Sequence, residues 1–102
     1  MALVCGFIMA EDQLNVEPAI ESAMIEDVAK IQAAIPPDHL TIQWDVCYEV
    51  VGSDGGPKLP YDNCIPGTVE RLTRLCGSID DRVELVIHLC YGDPGHKHIV
   101  DP

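Results

Sequence analysis

The chain has 102 residues, with 6 lysines and arginines against 17 aspartates and glutamates, a formal net charge of −11. That length allows one small domain or a piece of a larger one, and is short of the roughly 200 residues that a complete (β/α)8 barrel needs. The charge argues against nucleic acid and membrane as partners, because both are held by basic patches, while 47% hydrophobic residues in organised runs argue against disorder.

Residues 1–10, MALVCGFIMA, are apolar but carry no basic residue in front. They lack the n-region of a signal peptide and are too short to span a bilayer. They read as a buried strand at 3–9 or as an unrelated leader, and residues 1–17 are left as an unassigned N-terminal segment. The five cysteines, Cys5, Cys47, Cys64, Cys76 and Cys90, are odd in number and form no Cys-x-x-Cys pair. This pattern fits neither a zinc ribbon nor a secreted disulfide scaffold, so a cytoplasmic chain with reduced thiols is expected.

Residues 18–35 predict a helix. Ile20, Met24, Val28, Ile31 and Ile35 form one stripe at helical spacing. Pro18 suits the first turn, and Pro36-Pro37 stops the helix. Residues 40–51, LTIQWDVCYEVV, alternate with period two and predict a strand. Leu40, Ile42, Trp44, Val46, Tyr48 and Val50 take one face; Thr41, Gln43, Asp45, Cys47, Glu49 and Val51 take the other. Trp44 is expected in the core. The glycines and prolines of 52–67 predict a long loop. A second helix is expected at 68–79, capped by Thr68, with Val69, Leu72, Leu75, Cys76 and Ile79 buried. A strand at 83–91 and a terminal loop follow. The acidic pairs Glu11-Asp12, Glu26-Asp27 and Asp80-Asp81 read as solvated faces and caps. A strand, a crossover helix and a second strand make a parallel βαβ unit, expected to be right-handed.

His88 and Cys90 stand two apart on the second strand, so both face the same way. Their Cα atoms are expected roughly 6.5–7 Å apart. An imidazole nitrogen and a thiolate sulfur, at ~2.0–2.1 and ~2.3 Å from a metal, can then meet at one zinc ion. By spacing alone, a hydrogen-bonded histidine and a cysteine filling the core remain the commoner outcome. His96 and His98 read as a surface loop, with a role as substitute ligands the less favoured reading. Cys47 and Cys64 are given no role.

The string Val86-Ile87-His88-Leu89-Cys90-Tyr91-Gly92-Asp93 resembles the zinc-binding strand of the cobalamin-independent methionine synthase family. Ile42-Gln43-Trp44-Asp45 resembles that family's Ile-Gln-x-Asp strand. After Asp45 the chain reads Val46-Cys47, where the family strand continues Asp-Glu-Pro; IQWDVCYE and HLCYGDPGHKH look closer to its methionine-synthase-like branch. The resemblance covers residues 18–102 and implies part of a (β/α)8 TIM-type barrel domain. It implies that His88 and Cys90 are zinc ligands and that Asp45 contacts a thiol amino acid, with Gln43 and Glu49 as further pocket residues on the same strand face. It also implies transfer of a methyl group from a 5-methyltetrahydrofolate-type donor to a thiol such as homocysteine.

The family's other two zinc ligands lie well downstream of the His-x-Cys strand. The chain is therefore expected to carry half a zinc site, to be inactive alone, and to self-associate through unpaired strand edges. Two readings of other classes stand beside this one. One is a small non-catalytic α/β module that binds metal or thiols. The other is a redox-active thiol protein, disfavoured because no vicinal cysteine pair exists.

Overall fold

The computed structural model describes residues 1–101. Its elements run α1 (Ala2–Phe7), α2 (Gln13–Ala34), a 3-10 turn (Pro37–His39), β1 (Thr41–Val46), α3 (Tyr48–Ser53), α4 (Cys64–Cys76) and β2 (Glu84–Leu89). The two strands pair in parallel, with Thr41 opposite Glu84 and Val46 opposite Leu89. The chain is thus a small α/β unit. Among the described residues, no helix is long and apolar enough to cross a membrane.

Several boundaries differ from expectation. The 3–9 segment is a helix, not a strand, with only Val4 buried. Helix α2 begins at Gln13, so the boundary expected at residue 18 falls inside it, and Pro18 occupies its second turn. There Pro18 lacks the N–H that would bond the Leu14 carbonyl. The added turn carries Glu17 to Arg71 of α4, where both guanidinium Nε and Nη2 meet its carboxylate. At the other end the helix stops at Ile35, whose extended backbone (φ −119°, ψ 129°) is the one a following proline requires.

The strand expected to run to residue 51 ends at Val46. Cys47 turns into the helical region (φ −98°, ψ −59°), and α3 follows at once. Burial explains the turn. Val46 and Val51 are both buried, Val51 with no exposed surface, although alternation would set them on opposite faces. Helix α4 starts four residues earlier than expected. Pro66 falls in its first turn, where a missing N–H leaves no hydrogen bond unmade. Thr68 is then too far inside to cap, and its hydroxyl pairs with the Tyr61 hydroxyl at 2.9 Å.

The core lies on one face of the sheet. Val28 of α2, Trp44 of β1, Ile79 and Val83 form a buried cluster, with Met24, Leu40, Ile42, Leu72, Leu75 and Cys76 around it. Trp44 is therefore core, as its alternation predicts, although its indole N–H has no partner among the described residues. Helices α2 and α4 are tied over this face by Arg71–Glu17 and by Arg74–Glu21, the latter at 2.6 Å. Gln32 joins α2 to the turn before β2, donating to the Ser78 carbonyl (3.1 Å) and accepting from the Asp80 N–H (2.7 Å). The members of the pairs Glu11-Asp12 and Glu26-Asp27 are exposed, and Asp80 accepts from the Arg82 N–H at 2.9 Å, a local cap before β2.

Candidate metal and thiol site at the strand ends

In parallel pairing, residues in register share a face. Ile42, Trp44 and Val46 lie opposite Leu85, Ile87 and Leu89, on the helix side. Thr41, Gln43 and Asp45 lie opposite Glu84, Val86 and His88 on the other side. No described helix is packed on that second face, and Gln43, Asp45, Glu84 and His88 are all exposed there. The Thr41 hydroxyl reaches the Glu84 carboxylate at 2.5 Å, and Gln43 Nε2 donates to Asp45 Oδ1 at 2.7 Å. Gln43 thereby holds the Asp45 carboxylate level with His88, its register partner.

The structure brings Asp45, Gln43 and His88 together, with Cys90 one step past the end of β2. Glu49 is not among them. Because the chain turns helical at Cys47, Glu49 sits on α3 instead of the strand face. Its carboxylate accepts from the Met1 amino group at 2.7 Å. It lines an apolar cleft with Val4, Ile20, Met24, Leu72 and the Glu17–Arg71 pair. The expectation that Glu49 shares a face with Asp45 is corrected accordingly.

His96 and His98 lie on the exposed terminal loop. That loop folds back by an Ile99 N–H bond to the Tyr91 carbonyl (3.1 Å), and the His98 ring lies 6.0 Å from that of Tyr91. Tyr91 in turn donates to the Asp54 carboxylate at 3.1 Å. Among the described residues, no group of three or more His, Cys, Asp or Glu is placed to hold a metal ion. An imidazole at the end of a strand and a thiol just past it suit zinc chemically as a pair of donors.

Sequence reasoning gave Cys47 no role, yet it stands beside Cys90. Burial pushes the Cys47 thiol up from its ordinary value first, and the neighbouring Cys90 thiol and the Glu49 and Asp45 carboxylates add to that. The signal was present in the spacing. Cys47 follows Asp45 by two, and Cys90 follows His88 by two, so the register pairing Asp45 with His88 aligns the thiols. Using it required knowing that register.

No family model, curated protein or solved structure matches the chain.

Proposed function

We propose that the chain is part of a zinc-dependent methyltransferase barrel of the methionine-synthase-like type. In this reading β1 and β2 are two neighbouring barrel strands whose open face is the barrel interior. The observation that carries it is the shared polar face of Asp45 and His88 near the C-terminal strand ends, with the helices confined to the other side. Barrel enzymes set their chemistry at that end, on inward-pointing residues.

His88 and Cys90 would hold the zinc, which supplies a low-pKa thiolate from a bound substrate thiol for attack on an activated methyl group. Asp45, braced by Gln43, would bind the amino group of a thiol amino acid through a charge-assisted hydrogen bond. Two protein ligands leave zinc under-coordinated and weakly held, so the chain alone should not turn over. The edge of β2 fits the same reading. Leu85, Ile87 and Leu89 are 38%, 46% and 64% exposed on the helix side. In a barrel, a further helix covers such a row and a further strand pairs with the edge. With this row and edge left uncovered, self-association is the expected behaviour of the chain as described.

Zinc content tests the assignment. The purified chain should bind zinc weakly, with uptake only when zinc is in excess, and His88→Ala and Cys90→Ala should each lower that uptake. Unchanged uptake in both variants would overturn the ligand assignment, and no uptake by the parent chain even in excess zinc would show that the half-site does not function alone.

A further inference from the structure

We propose that Cys47 and Cys90 are a redox pair that forms a reversible disulfide across the C-terminal ends of β1 and β2. The proposal needs no metal and stands apart from the methyltransferase reading. Three observations carry it. First, Val46 and Leu89 are the last residues in register, so Cys47 and Cys90 are the residues that immediately follow the two strand ends. The paired strands they leave lie roughly 4.8 Å apart, so the two residues start from a spacing inside the ~4.4–6.8 Å Cα separation that a disulfide spans. Second, the backbone after Cys90 closes over Cys47. A Cβ added at Gly92 would lie 3.2 Å from Cys47 Sγ, and Gly92 has φ +65°, so the turn that brings this segment in depends on glycine. Third, both thiols are half-buried, which leaves them open to a small reagent.

The other cysteines are occupied elsewhere. Cys64 Sγ donates to the Glu49 carbonyl at 3.5 Å, Cys76 packs against the core, and Cys5 sits on α1, away from the strand ends. The co-reactant is a low-molecular-weight disulfide such as oxidised glutathione. One protein thiolate attacks it, forming a mixed disulfide and expelling one small thiol. The second protein thiolate then attacks the protein sulfur of that mixed disulfide, the S–S bond between Cys47 and Cys90 forms, and the second small thiol leaves. Two protons and two electrons pass from the protein to the reagent, and excess dithiol reverses the step.

Peptide mapping tests this directly, because trypsin places each cysteine in a different peptide. The reduced full chain is incubated with oxidised glutathione, its remaining thiols are alkylated, and it is digested without reductant. Five cysteines allow ten pairings. The expected product joins peptide 31–58 to peptide 83–97 and is enriched at least about fivefold over its share when the oxidation is run in urea. In urea, the shortest loop, Cys64 to Cys76, should lead instead. A variant carrying Cys5→Ser, Cys64→Ser and Cys76→Ser should give the same 31–58/83–97 link at the parent's rate. Another dominant pairing in the native chain, stable glutathione adducts on Cys47 and Cys90 without a link, or the same distribution with and without urea would overturn the proposal.

Discussion

The Arg71–Glu17 pair offers a quantitative test of how the helical layer is held over the sheet. Both carboxylate oxygens of Glu17 are engaged by Arg71, whose Nη1 also donates to the Gly67 carbonyl at 3.0 Å. The guanidinium carbon lies 3.7 Å from the centre of the Tyr61 ring. The side chains of Arg71 and Glu17 are only 17% and 10% exposed, so Arg71→Met strands a carboxylate in a mostly apolar cleft. Breaking a buried pair from one side costs about 3–5 kcal/mol. The residual exposure places this one near the lower end, about 3 kcal/mol. Against a total stability of roughly 5–15 kcal/mol for a small domain, that is a large fraction. Urea unfolding followed by Trp44 fluorescence measures it, with the m-value checked for constancy. Adding Glu17→Gln to Arg71→Met removes the stranded charge and should recover about 1–2 kcal/mol. A loss below about 1 kcal/mol for the single variant, or no recovery in the double, would refute the reasoning.

Four further outcomes are expected. Excess zinc should slow oxidation of Cys90, read as delayed formation of the linked peptides; an unchanged rate would count against Cys90 as a ligand. Trp44→Phe should change stability by no more than about 1 kcal/mol, because it also removes a buried N–H without a partner, whereas Trp44→Ala should cost about 3–5 kcal/mol in circular-dichroism melts. Acid should weaken the fold through two lowered carboxyls. Glu21 is held down chiefly by its hydrogen bond with Arg74, and Asp80 is held at about 2 by Arg82. Their contribution is present above the ordinary values of 4.5 and 3.8 and is lost as pH falls through the lowered ones, so Glu21→Gln should flatten the stability profile below pH 4.5. Ile87→Lys and Leu89→Lys should shift sedimentation toward monomer, and unchanged association would free the β2 row from that role.

The sequence by itself determined the elements that local chemistry dictates. The stop of α2 before Pro36-Pro37 follows from steric limits on the residue preceding a proline. The alternation from Leu40 to Val46 put Trp44 in the core, because period-two side chains must part to two faces. The same period set His88 on the polar face with Asp45, whereas Cys90 falls one residue past the end of β2. Tertiary structure decided what local pattern leaves equal. The alternation runs on unbroken through Glu49, and only the demand to bury Val51 together with Val46 turns the chain helical at Cys47 and takes Glu49 away from Asp45. Pro18 is a good helix starter in isolation, and Pro66 reads as part of a loop. Both lie inside helices here, and at Pro18 the early start carries Glu17 to Arg71, a contact 54 residues away in sequence. The register of the parallel pair decided most about the candidate site. Two strands with equivalent faces can slide by two residues without exposing their apolar sides, so pattern alone does not say which residues meet. Only the paired structure sets Asp45 beside His88 and brings Cys47 to Cys90.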